Sequence, residues 1–183
     1  LGAEKGILIK DAKSLETAHK IKTIIFDKTG TLTEGKPMVT DVQGDVLQLA
    51  ASLERGSEHS LAEAIVNKGE AEKVKFLEVK NFKAIPGHGV EGMINGKKVI
   101  LGNRKLMEKE KISFKRSDLA KLEEQGKTVM MLAQDGKLKG MIAVADTIKD
   151  SALEAVKKLQ EMGIEVVMIT GDNQKTAEAI AGQ

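Results

Sequence analysis

No cysteine, tryptophan or tyrosine occurs anywhere in the chain, and phenylalanine occurs only four times. Without cysteine there is no disulfide framework and no thiolate metal site, and a reducing, cytosolic setting is permitted. Without tryptophan or tyrosine, a base cannot be held by a stack of large aromatics. Any nucleotide site must then use close backbone approach, phenylalanine, histidine and polar contacts. No apolar run approaches the length that spans a bilayer, and the amino terminus lacks a signal-peptide pattern, so the chain is expected to be soluble. Charge of one sign is also missing. The 29 basic and 27 acidic residues nearly cancel to +2, without a like-charge block that would suit nucleic acid or a membrane surface. No repeat or low-complexity segment is visible, and 183 residues suffice for one or two domains with a substantial core.

What is present centres on Asp27-Lys28-Thr29-Gly30-Thr31-Leu32-Thr33. The β-branched run Thr23–Phe26 before it reads as a buried parallel strand that ends at the carboxylate. Open α/β sheets gather ligands at the carboxyl ends of their strands, and Gly30 among three threonines makes a tight loop able to hold phosphate oxygens. Asp27 therefore reads as a nucleophile. The alternative is an aspartate that merely caps a polar turn.

Around this loop the elements follow from pattern. A helix is expected over Ser14–His19 with Ser14 as its cap. The breaker cluster Glu34-Gly35-Lys36-Pro37 opens a section of different architecture. It contains a strand at Met38–Val42, a helix capped by Asp45 and a second helix with Ser60 and Glu63 as a capping box. A β-rich part follows from Phe76, with the Asx-Gly turns Asn95-Gly96 and Asp135-Gly136 marking two hairpins. Helices over Asn103–Glu110 and Ser117–Glu124 lie between them. The sum is an antiparallel sheet of about six strands with helices against it. From Ala145 the α/β logic returns: a helix with Ser151 and Glu154 as a capping box, a strand at Ile164–Ile169, and a helix from Gln174. Parallel pairing of the two apolar strands would set Asp27 beside Thr170 at one edge. Met130, Met131, Met141, Met162 and Met168 fall in apolar patterns and read as core rather than metal ligands.

Thr170-Gly171-Asp172 alone is common turn chemistry, but after a second buried strand its hydroxyl and N–H groups can contact phosphoryl oxygens. Pro86–Gly92 contains the GxGxxG spacing. A hairpin rather than a helix follows it, which excludes a dinucleotide fold, and no kinase segments accompany it. It reads as a place where backbone approaches a ligand closely.

The heptapeptide resembles the phosphorylation signature of the P-type ATPases, a branch of the haloacid dehalogenase-like superfamily. Ser57-Glu58-His59-Ser60-Leu61, the glycine loop and Leu101-Gly102-Asn103 resemble the nucleotide pocket of the heavy-metal-transporting class, with a tilt toward copper. The resemblance implies an α/β, haloacid dehalogenase-like, Rossmann-like phosphorylation domain, incomplete at its carboxyl end, over residues 1–35 and 144–183. An inserted α+β nucleotide-binding domain would span residues 36–143. It implies that Asp27 is phosphorylated by ATP, with Lys28, Thr29, Thr170, Gly171 and Asp172 around the phosphoryl group. Mg2+ would sit on Asp27 and the Thr29 carbonyl. Glu58, His59, Gly87, Gly89, Gly102 and Asn103 would surround the adenine and ribose, and Asp146 would be a hinge. Ser60 stands where the family usually has proline.

The resemblance further implies a parent that is an integral membrane protein, with this part on the cytoplasmic side. Its partners would be that parent's own transmembrane and actuator domains and a metal cation bound elsewhere in it. Leu1 resembles a cut within a longer protein. The family's further metal-binding segment would follow Gly182, so this polypeptide is expected to bind adenine nucleotide but to phosphorylate itself poorly. A soluble phosphatase with an inserted cap is the alternative. It would normally carry an aspartate general acid where Thr29 stands. A nucleotide-binding module without turnover is a third reading.

Overall fold

The structure is a computed structural model that describes residues 6–9 and 11–182, so Leu1 lies outside it. It opens with helix α1 (Ala12–Ala18) and strand β1 (Thr23–Asp27). The cap of α1 is Asp11, whose carboxylate accepts from the Ser14 N–H at 2.6 Å. Ser14 is thus already in the first turn rather than at the cap expected for it.

After the heptapeptide the chain enters strand β2 (Met38–Gln43) and helices α2 (Leu47–Glu54) and α3 (Ser60–Ala71). Strands β3 (Val79–Ile85), β4 (Gly89–Ile94) and β5 (Lys97–Gly102) follow, then helices α4 (Arg104–Lys109) and α5 (Arg116–Glu123). Strands β6 (Thr128–Gln134) and β7 (Lys137–Ala145) complete a six-stranded antiparallel sheet in the order β2-β7-β6-β5-β4-β3. Both Asx-Gly turns form as expected. Asn95 and Gly96 have φ of 51° and 74°, Asp135 and Gly136 47° and 74°, the left-handed pairs a two-residue type I′ hairpin requires.

Alternation along these strands sends side chains to two faces, and each face is covered. Val90, Leu101, Leu132 and Ile142 pack with Val46, Ala50, Leu53 and Ile65 of the α2–α3 side. Ile100, Met131 and Ala143 pack with Leu106, Met107, Leu119 and Leu122 of the α4–α5 side. Burying such side chains contributes roughly 1.5–3 kcal/mol each, which is what holds this sheet rigid. Two expected caps are replaced here. Asp45 does not cap α2: the preceding Val46 has φ −121° and ψ −16°, not the extended backbone from which a side chain reaches the first N–H groups. His59, extended at φ −83° and ψ 145°, caps α3 in place of Ser60, its Nδ1 accepting from the Leu61 N–H at 3.3 Å.

Helix α6 (Asp150–Glu161), strand β8 (Glu165–Ile169) and helix α7 (Gln174–Ala181) end the described chain. Lys149 is extended before α6 and Asp150 supplies the favourable negative charge in its first turn, so the Ser151–Glu154 capping box does not form. Strands β1 and β8 pair in parallel with Asp27 opposite Ile169. They are not the buried strands that their apolar runs suggest. Ile25 is 58% and Ile169 57% exposed, because only two strands form this sheet among the described residues. Met130, Met131 and Met141 are core, whereas Met162 lies outside it at 71% exposure.

Candidate active site

Asp27 ends β1 with its side chain exposed, and the chain then turns back on itself through Lys28–Leu32. Gly30, at φ 76°, makes that turn possible. The loop is closed by Thr33. Its N–H donates to the Lys28 carbonyl at 3.1 Å, and its buried hydroxyl accepts from the Gly30 N–H at 3.1 Å. The Lys149 ammonium fixes the other side of the turn by donating to the Gly30 carbonyl at 2.8 Å. Thr29 remains exposed beside Asp27. The arrangement presents an exposed carboxylate at the end of a strand, next to backbone held in one shape.

Parallel pairing brings Thr170, Gly171 and Asp172 to the same edge, as expected. Asp172 has a side chain only 9% exposed and forms an ion pair with Lys28. It also accepts from the Thr170 hydroxyl at 2.7 Å and from the Thr128 hydroxyl, on β6, at 2.7 Å. Burial raises the Asp172 pKa, but the hydrogen bonds from Lys28, Thr128 and Thr170 outweigh it and hold the carboxyl below the usual carboxylate range. Gly171 is exposed, with open space where a Cβ would stand.

The two crossings between the sheets run side by side. The Glu34 N–H donates to the Thr147 carbonyl at 2.8 Å and the Lys149 N–H to the Leu32 carbonyl at 2.9 Å. Asp146 staples them, accepting from the Thr33 hydroxyl at 2.6 Å and from the Gly35 and Lys36 N–H groups at 3.1 and 3.2 Å.

A second candidate site lies where α2 ends and α3 begins. A shallow pocket there is lined by residues that include Glu54, Arg55, Ser57, Glu58, His59 and Glu63. Glu58 and His59 are exposed at it. Glu54 is 3% exposed, and among the described residues its Oε2 has no hydrogen-bond partner. Burial pushes its carboxyl up to about 7, with the Ser57 hydroxyl working the other way. A buried, unpartnered carboxyl oxygen bordering a pocket is what a ligand donor would satisfy. Nothing in the local pattern marks Glu54, which follows Leu53 at the end of a helix.

Gly87, Gly89, Gly102 and Asn103 gather at the paired ends of β4 and β5 and do not line that pocket. Gly89 and Gly102 are required by packing. A Cβ on Gly89 would meet the Leu101 carbonyl oxygen at 2.2 Å, and one on Gly102 the His88 carbonyl oxygen at 2.4 Å. Asn103 caps α4 through the Leu106 N–H at 3.1 Å and donates to the Gly87 carbonyl at 2.9 Å, so it braces the glycine turn.

A profile of the haloacid dehalogenase-like hydrolases matches residues 21–183, and the chain belongs to that family. Within it, the chain is similar to heavy-metal P-type ATPases. It is 49% identical over 185 residues to the copper-exporting P-type ATPase of Staphylococcus saprophyticus, covering 99% of this chain and 23% of that relative. Among solved structures, the catalytic domain of the CPx-ATPase CopB-B superposes with a TM-score of 0.71 at 31% identity, over 98% of this chain and 64% of that one. A zinc-transporting PIB-type ATPase in the E2.Pi state gives a TM-score of 0.69 at 34% identity, over 99% of this chain and 31% of that one. The chain therefore spans about a quarter of the length of the curated relatives it matches.

Proposed function

We propose that this chain is the ATP-using catalytic part of a P-type ATPase that moves a heavy-metal cation, copper above all, across a membrane. The observation that carries this reading is the exposed Asp27 carboxylate at the end of β1, paired in register with the strand that leads to Thr170. One Asp27 oxygen attacks the γ-phosphorus of ATP, the bond to the bridging oxygen breaks, and ADP leaves. Water later attacks the same phosphorus and releases phosphate, which regenerates the carboxylate. In this reading Lys28, the Thr29 and Thr170 hydroxyls and the Gly171 N–H hold the phosphoryl oxygens, Lys28 and Thr170 turning to them from Asp172. Asp27 and the Thr29 carbonyl offer two oxygens to Mg2+, a donor set that suits an ion bound by few protein ligands and by phosphate oxygens. When bound, Mg2+ offsets phosphate charge. No helix among the described residues is long and apolar enough to cross a membrane, so in this reading the cation path lies in other segments.

We assign residues 36–143 to nucleotide binding and residues 1–35 with 144–183 to phosphorylation, the crossings stapled by Asp146 serving as the hinge. The pocket at Glu58 and His59 takes the adenine, and Glu54 accepts from the exocyclic amine at its floor. The braced glycine turn at Gly87 lies along the ribose side. Calorimetric titration of the chain with ATP and GTP tests this. ATP is expected to bind at least about tenfold tighter than GTP, and Glu54→Met is expected to erase most of that difference by removing a buried hydrogen bond. Equal affinities in the unaltered chain would remove the adenine assignment.

A further inference from the structure

The segment just after the Thr170-Gly171 turn reaches across to the six-stranded sheet at two points. Asp172 accepts from the Thr128 hydroxyl at 2.7 Å while it holds Lys28 of the aspartyl loop. One turn on, the Thr176 hydroxyl, fully buried, donates to the Lys127 carbonyl at 3.0 Å. Between them the Asn173 amide donates to Glu123 of α5 at 3.1 Å. Glu123 is itself held by Arg104 through both carboxylate oxygens, at 3.0 and 2.8 Å, and is only 3% exposed. Asp172, Thr176 and Glu123 are thus largely withdrawn from water and hydrogen-bonded across the two parts, not meeting loosely at a surface.

We propose that Thr128 is a positioning residue for the aspartyl loop. Its hydroxyl orients Asp172, Asp172 orients Lys28, and the lean of the six-stranded sheet is thereby transmitted to the side chain next to Asp27. The contact from Thr176 to Lys127 is the second arm that fixes this lean. With both arms made, Lys28 is held by Asp172. When the sheet tilts and Thr128 withdraws, the Asp172 carboxylate is no longer fixed in orientation, and Lys28, paired to its other oxygen, shifts with it relative to Asp27. The consequence for phosphoryl transfer rests on Asp27 being the phosphorylated residue, whereas the geometric coupling does not.

The chain has no cysteine, so two introduced ones label it uniquely. Spin labels on Lys139→Cys, far along β7, and Lys157→Cys, on α6, report the angle between the two sheets by pulsed electron spin resonance. In the unaltered background one narrow distance distribution is expected. Thr128→Val, which keeps the shape and removes the hydroxyl, is expected to broaden it, with the open fraction rising about tenfold for the loss of a charge-assisted bond. Thr128→Ser is expected to restore the narrow distribution, which a merely space-filling role would not do. Thr176→Val is expected to broaden it independently, and decides the matter if Thr128→Val does not fold. Narrow, unchanged distributions in Thr128→Val and Thr176→Val would overturn the proposal. Failure of ATP to bind, with the broadening still present, would leave the positioning role standing and remove the nucleotide reading instead.

Discussion

The Thr33 hydroxyl donates to the Asp146 carboxylate at 2.6 Å, across 113 residues of sequence. Thr33 closes the aspartyl loop and Asp146 begins the return from the six-stranded sheet, so this one bond ties the shape of the loop to the paired crossings between the sheets. Asp146→Ala removes the acceptor for three donors, the Thr33 hydroxyl and the Gly35 and Lys36 N–H groups. Its expected cost is about 1 kcal/mol of stability, since the Thr33 hydroxyl falls back on the longer 3.2 Å bond to the Lys28 carbonyl while the two N–H groups can turn to water. Urea unfolding measures it, and Asp146→Asn, which keeps an acceptor oxygen, should recover about half.

Glu54 makes stability depend on pH with a definite sign. Its unfolded carboxyl titrates near 4.5 and its native one near 7, so between those values the native state binds more protons. Stability contributed by the neutral buried form is full below pH 4.5 and is lost as pH rises toward 7, by on the order of 3 kcal/mol. Glu54→Gln is expected to flatten the melting temperature between pH 5 and 8 and to raise it at pH 8. A steeper fall in the variant would contradict the assignment.

His59 has two separable duties. Its Nδ1 caps α3, and its ring borders the pocket. His59→Asn keeps a capping side chain and removes the ring, so stability should change by less than about 0.5 kcal/mol. ATP affinity, by contrast, is expected to fall about tenfold, the size of one lost hydrogen bond or stacking contact. Unchanged affinity would take His59 out of the pocket.

The glycines separate packing from binding in the same way. Gly102→Ala drives a Cβ to 2.4 Å from a backbone oxygen and should cost more than about 3 kcal/mol, opening the β4–β5 pairing. Gly87→Ala meets nothing within 4 Å and bears only the strain of φ 70°, about 1 kcal/mol. A loss of ATP affinity in Gly87→Ala larger than its loss of stability would place the ribose side of the nucleotide at this turn.

The six-stranded sheet was legible in the sequence because Asx-Gly pairs force left-handed backbone, and alternation between them leaves one register. Helix starts were less legible. Asp45, Ser60 and Ser151 all have capping chemistry, yet each cap depends on which residue is extended, and that is decided by how the preceding strand or turn delivers the chain. The place of Asp27 at the end of a strand was legible in the β-branched run before it. Glu54 stayed hidden, since its burial depends on packing beneath a pocket rather than on its neighbours in sequence. Lys149, Thr128 and Glu123 stayed hidden too, because each acts on a partner 44 to 119 residues away.

The most direct measurement is acid trapping after incubation with γ-labelled ATP and Mg2+, in a protein of the relatives' full length that carries this chain. The expected result is a hydroxylamine-labile label on Asp27, absent in Asp27→Asn. A label that survives hydroxylamine, or that persists in Asp27→Asn, would contradict the role given to this carboxylate.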